Sequence, residues 1–263
     1  MKAKSIIALV VAGLISVTYG EIIVGNWDMN SITTKGTTNL VPESSGGSGL
    51  RLAAASPYGV PTLSIDGGGA SGLSGDKALV FNDATRDRAM SDARIWNVSY
   101  SNVAVNLQLY IDADGLPTLT GHAAYLLQMN GAWDLQILTA SGQDVIQFAT
   151  RVGTVLSVRS QDISSYTDQW IDIAFSFVDG VASITVEGIT ATATNTSASV
   201  TIGGSTAALL YVGERTSGGD TSFSGKMDNL IIKTAIPEAG SVGLLLISTA
   251  TVFVLRRGRR NVA

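Results

Sequence analysis

Through the middle of the chain, apolar and polar positions alternate with a period of two. Val103-Ala-Val-Asn-Leu-Gln-Leu-Tyr-Ile111 puts Val103, Val105, Leu107, Leu109 and Ile111 on one side, the pattern of a half-buried strand. Trp133-Asp-Leu-Gln-Ile-Leu138, then Ser141-Gly142, then Val145-Ile-Gln-Phe148 predict a hairpin. Trp170 to Phe177, Asp179-Gly180 and Val181 to Val186 predict a second, and Leu209–Val212 and Met227–Ile232 two further strands. Between 44 and 75, Gly/Ser clusters surround Leu50, Leu52, Val60, Leu63 and Ile65, which reads as turns and short strands inside the domain rather than a linker. No long segment repeats at the three-and-four spacing of a helix, and no fixed-period repeat marks a propeller or solenoid. The prediction is an all-β, two-sheet antiparallel sandwich or jelly roll. Trp133 and Trp170, which open strands, are expected in its core, as are Trp27 and Trp96.

The two ends break this pattern. Lys2 and Lys4 precede an apolar run from Ile6 to Val17, and Thr18-Tyr19-Gly20 sets small residues at −3 and −1 of a cut before Glu21. That is the layout of a signal peptide over residues 1–20, cut between Gly20 and Glu21. At the other end, residues 239–255 carry no charge; as a helix they would span roughly 26 Å, close to the hydrocarbon core of a bilayer. Arg256, Arg257, Arg259 and Arg260 follow as a basic stop that stays on the cytoplasmic side, placing the preceding domain outside.

Ile236-Pro237-Glu238-Ala239-Gly240-Ser241, the apolar run and Arg-Arg-Gly-Arg-Arg together resemble the PEP-CTERM sorting signal of Gram-negative bacteria. Pro237 and Glu238 match the first two motif positions; Ala239 stands where the family usually has proline. The resemblance implies export across the inner membrane, cleavage by signal peptidase, transient anchoring by the C-terminal helix, and processing by exosortase, a membrane protease-transpeptidase. The destination it implies is the cell envelope, surface or extracellular matrix. Three segments result: leader 1–20, domain 21–235, and sorting signal 236–263.

With the ends set aside the charge picture changes. Residues 21–236 hold 11 Lys+Arg against 20 Asp+Glu, a net −9, whereas the whole chain is −4. An acidic body argues against nucleic acid as a partner. The chain has no cysteine and one histidine, His122, which excludes thiol catalysis, iron–sulfur clusters and a multi-histidine zinc site.

Trp170-Ile-Asp-Ile-Ala-Phe-Ser-Phe-Val-Asp-Gly-Val-Ala-Ser-Ile-Thr-Val-Glu-Gly, Leu210-Tyr-Val-Gly213 and Phe223-Ser-Gly-Lys-Met-Asp-Asn-Leu230 resemble, in order and spacing, the LamG, concanavalin A-like module. The match is best over residues 103–233. It implies a two-sheet jelly roll, often sugar-binding, with calcium in some members.

Candidate chemistry is sparse. Glycosidases need two carboxylates about the scissile bond. The five glutamates (Glu21, Glu43, Glu187, Glu214 and Glu238) are too scattered to share one strand face, so no catalytic residue is assigned and the domain reads as non-enzymatic. Asp112-Ala-Asp114-Gly115 is half of a calcium loop or simply a turn. Asp228 falls where the LamG-like module carries a late Asp that binds calcium or fastens a loop. Calcium is thus the one cofactor left open. Trp96, Tyr100 and Tyr166 are the aromatic candidates for a sugar platform. The function predicted is polysaccharide binding by an exported, non-catalytic domain; a structural or adhesion protein and a divergent glycoside hydrolase or lyase are the alternatives.

Overall fold

The computed structural model describes residues 19–52, 58–95, 102–117, 122–150, 156–178, 180–194, 209–214 and 222–237, with backbone alone at 19–22 and 235–237. The chain divides into two units, Ile22–Ala235 and the two termini; the first carries the fold. The leader up to residue 18, Glu238, Ala239, the 239–255 run and the four terminal arginines lie outside the described residues, as do Trp96 and Tyr100. Among the described residues no helix is long and apolar enough to cross a membrane.

Two antiparallel sheets make the domain. The eight-stranded sheet runs β15 (Ile189–Thr194), β14 (Val181–Val186), β13 (Trp170–Val178), β8 (Val103–Ile111), β17 (Gly225–Pro237), β6 (Leu79–Phe81) and β5 (Thr62–Leu63), with β1 (Tyr19–Trp27) also paired to β17. The nine-stranded sheet runs β12 (Ser157–Arg159), β11 (Gln143–Thr150), β10 (Trp133–Ala140), β9 (Ala123–Met129), β16 (Leu210–Val212), β7 (Ala89–Ser91), β4 (Leu50–Leu52), β3 (Thr38–Val41) and β2 (Thr33–Lys35). Chain neighbours are often not sheet neighbours: β8 lies between β13 and β17, and β16 between β9 and β7. These long-range pairings are what make the pattern a sandwich rather than a meander.

Period-two alternation decides which side chains fill the space between the sheets. In β8 the five apolar residues at odd positions from Val103 to Ile111 are buried. Both predicted hairpins form. Ala140 pairs with Gln143 around Ser141-Gly142, whose φ values of 55° and 78° suit the primed turn a two-residue loop needs. Val178 pairs with Val181 around residues 179–180. Trp133, Phe148 and Phe175 pack as one aromatic knot across the two sheets, with Phe148 and Phe175 stacked at 4.5 Å and Trp133 at 5.2 Å from Phe175. Trp27 is fully buried as expected. Trp170 is not in the core. The next residue, Ile171, points inward, so Trp170 faces outward on the eight-stranded sheet, half-buried, edge-on to Tyr110 at 5.8 Å.

Candidate functional site

Once the core is assigned, the residues left over define two outer faces, and that of the nine-stranded sheet holds the candidate site. In β10, Trp133, Leu135 and Ile137 belong to the core, so Asp134, Gln136 and Leu138 face out. Yet all three are buried, at 0%, 8% and 8% exposure. In β9 a bulge opposite Leu135/Gln136 lets Leu126 and Leu127 both face the core. Tyr125 and Gln128 stay outward on either side of it. A second apolar cluster of Ala123, Tyr125, Leu138 and Val145 covers one end of this face.

The other end is polar and aromatic. The register aligns Arg51 of β4 with Met90 of β7, Met90 with Tyr211 of β16, Tyr211 with Gln128 of β9, and Gln128 with Asp134 of β10. Arg88 lies two residues before Met90 on the same face. Its guanidinium stacks on Tyr58 at 3.6 Å from the ring centroid and lies 5.2 Å from that of Tyr211, both within cation–π reach. The row crosses five strands, roughly 19 Å at about 4.8 Å per strand. Beyond Arg51 its register partner Leu40 lines a cleft of about 470 Å³ with Lys35, Glu43, Gly47 and Asp92.

Loop chemistry holds the aromatic end in place. The Asp87 carboxylate accepts from the Asn82 N–H at 3.0 Å and Thr85 Oγ1 at 2.7 Å, and the Gly59 N–H donates to the Thr85 carbonyl at 2.7 Å. That brings Tyr58 alongside Arg88. Glu214, buried just beyond β16, accepts from Ser222 Oγ and pairs with Arg86 Nε at 3.6 Å. Gly213 between them has φ +87°, and a Cβ there would sit 2.3 Å from the Phe81 ring, so only glycine lets β16 leave the sheet at this point.

Two polar atoms on the face are left over. Gln136 Oε1 and Arg51 Nε are buried with no hydrogen-bond partner among the described residues. Unpaired buried polar atoms cost free energy.

Of the residues expected from sequence, Trp96 and Tyr100 lie outside the described residues, and the others fall elsewhere. Tyr166, in the one-turn helix Ser164–Tyr166, is half-buried with its ring against the core. Asp112 makes a turn: its carbonyl accepts the Gly115 N–H at 2.8 Å and its carboxylate accepts Ser224 Oγ at 3.0 Å, while Asp114 is exposed. Asp228 is fully buried and accepts the Ala70 N–H at 3.0 Å, fastening the glycine-rich loop, and the Asn229 N–H at 2.8 Å. Burial pushes its carboxyl up to about 6 despite those bonds, and the charges of Asp76 and Asp28 add to the rise. Among the described residues no group of three or more acidic or histidine side chains is placed to hold a metal. The sequence reading missed Tyr58, Arg88, Tyr211, Gln128, Asp134 and Gln136. The alternation in Trp133–Leu138 and Leu210–Val212 already set Asp134, Gln136 and Tyr211 opposite the core; what it could not give was the neighbouring strand.

No family model and no curated protein matches the chain. Solved structures do. Domain 4 of AbnA, a GH43 extracellular arabinanase from Geobacillus stearothermophilus, solved in complex with arabinotriose, is similar at TM-score 0.51 and 15% identity, covering 84% of this chain and 97% of that one. The binding domain of botulinum neurotoxin serotype D is similar at TM-score 0.51 and 12% identity, covering 86% of this chain and 51% of that one; this chain spans about half of it. At these identities the likeness is one of fold, the two-sheet jelly-roll sandwich.

Proposed function

We propose that this is an exported, non-catalytic carbohydrate-binding protein that takes an oligosaccharide along the outer face of its nine-stranded sheet. The observation that carries the reading is the row from Arg51 through Tyr211 and Gln128 to Asp134, with Gln136 Oε1 beside it lacking a hydrogen-bond partner among the described residues. Sugars offer hydroxyls in a line and apolar ring faces between them. A row of amide, carboxylate and guanidinium groups with aromatic rings beside it is complementary to both. The fold likeness to a domain solved with arabinotriose motivates the choice of sugar over peptide. Binding rather than hydrolysis is favoured because the described row carries one carboxylate, Asp134, where a glycosidase sets two. The ordered LamG-like pieces between 103 and 233 support the same reading. The tail supports delivery: the motif at Pro237-Glu238-Ala239, the apolar run and the arginine stop fit exosortase sorting to the envelope or matrix.

Two measurements test this. Affinity electrophoresis of the full chain through gels containing neutral and acidic polysaccharides should show retardation by at least one; unaltered mobility in all would remove the sugar reading. Intact mass of the protein recovered from cells should place its C-terminus near Pro237; a chain still ending at Ala263 would remove exosortase processing.

A further inference from the structure

From the chemistry at the Tyr58–Arg51 end of this face we infer that the ligand is an acidic polysaccharide whose carboxylates pair with Arg51. The inference rests on the sugar-binding reading and names the class of sugar.

Arg51 is set between Leu40 and Met90 in register, so both flanking strands present apolar side chains to it. One terminal nitrogen reaches Met90 Sδ at 3.5 Å, a weak acceptor, and its Nε is buried with no partner among the described residues. The two ion pairs found among the described residues, Lys35–Asp92 and Arg86–Glu214, do not involve it. A guanidinium is charged at every relevant pH and presents a fork of donors that matches a carboxylate. With no counter-charge among the described residues and apolar neighbours on both strands, it is incompletely bonded. In charge Arg86 shows the contrast: it is answered by the buried Glu214. Arg88, diagonal to Arg51 across β4 and β7, adds a second cation to the same end. It is held flat on Tyr58, which leaves the ring and the guanidinium as one platform.

The acidity of the domain does not oppose this. The nearest carboxylates, in the adjoining cleft, have partners of their own: Asp92 pairs with Lys35 at 4.0 Å and Glu43 accepts the N–H groups of Asn26, Ser45 and Gly47, while more distant charges are screened over a Debye length of about 8 Å. Asp134 lies at the other end of the row, roughly 19 Å away at about 4.8 Å per strand. A ligand carboxylate is therefore far from it when paired with Arg51. The row thus has a direction, with uronate carboxylates at the Arg51 end.

The test is calorimetric titration of the full chain at physiological ionic strength with polygalacturonate, linear arabinan and dextran sulfate. Polygalacturonate should bind at least about tenfold more tightly than arabinan. Arg51→Gln should erase that margin, and Arg51→Lys, which keeps the charge but loses the fork, should retain part of it. Arabinan bound as tightly as polygalacturonate, with Arg51→Gln unchanged, would overturn the acidic ligand and leave the sugar reading standing. Preference for dextran sulfate over polygalacturonate would overturn the carboxylate. Binding of none of the three by a chain that also ignores every polysaccharide in the gel series would overturn the sugar reading and this inference together. If Arg51→Gln fails to fold, Arg51→Lys decides alone: an undiminished margin for polygalacturonate overturns the pairing.

Discussion

The two outer faces of this sandwich are built from similar polar residues and treat them differently. On the eight-stranded sheet the side chains satisfy one another. Asn229 Nδ2 donates to Gln108 Oε1 at 2.6 Å, and Gln108 Nε2 donates to Asp172 Oδ1 at 2.9 Å. Ser176 bonds Ser183 and Thr185 bonds Thr190, each at 2.8 Å. These are cross-strand pairs of an open, hydrated surface, and each adds a fraction of a kcal/mol to the sheet. On the nine-stranded sheet Gln136 and Arg51 keep buried atoms with no hydrogen-bond partner among the described residues, and the half-buried Arg88 lies over the Tyr58 ring. A face that completes its own hydrogen bonds has little left to offer a ligand. One that leaves them incomplete at buried positions has a stability cost that binding can offset.

Breaking the second face should have the largest effect. Tyr211→Ala removes one ring beside Arg88, and glycan affinity should fall about tenfold, roughly 1.4 kcal/mol, by titration. Trp170→Ala, which removes an aromatic of the opposite face, should leave affinity unchanged; equal losses from both variants would dissolve the distinction between the faces. Gln136→Leu sharpens it through opposite signs. Replacing an amide whose buried oxygen has no partner among the described residues by an apolar side chain should raise unliganded stability by about 1 kcal/mol in denaturant unfolding, while affinity falls. Loss of stability together with unchanged affinity would show Gln136 to be structural. Asp172→Ala cuts the ladder on the open face and should cost about 0.5 kcal/mol with no change in binding.

The same contrast recurs in two buried carboxylates, and pH separates them. Burial pushes Glu43 up, but the Ser45 hydroxyl and the N–H groups of Gly47, Asn26 and Ser45 outweigh it and hold the carboxyl below its ordinary value. Its contribution to stability is therefore present above the unfolded value and lost as pH falls through the folded one. Asp228, with fewer donors and deeper burial, is pushed up to about 6. Its contribution is present below the unfolded aspartate value and lost as pH rises through about 6. Thermal unfolding across this range should show Asp228→Asn flattening the decline toward neutral pH and Glu43→Gln flattening the decline toward acid. If Asp228→Asn leaves the pH profile untouched, the carboxyl is not carrying the burial cost assigned to it.

Much of this was legible in the sequence because period-two alternation is local. The strand from Val103 to Ile111, the Ser141-Gly142 and 179–180 turns and the core place of Trp133 follow from neighbours within ten residues. Trp170 shows the limit. It opens a strand just as Trp133 does, but a strand's first residue has either parity, and Ile171, not Trp170, faces the core. The site was less legible for a similar reason. Arg51, Met90, Tyr211, Gln128 and Asp134 come from five strands spread over more than 150 residues, and only the strand order sets them in one row. Asp228 was expected to hold calcium or fasten a loop, and its bond to Ala70 supplies the second.

The claim that the nine-stranded face, and not the eight-stranded one, takes the sugar is tested most directly by backbone amide shifts on adding oligogalacturonide to the isotope-labelled full chain. Perturbed amides should cluster at 88–90, 128, 134–136 and 211. Perturbations confined to 106–110, 170–176 and 183–190 would contradict it.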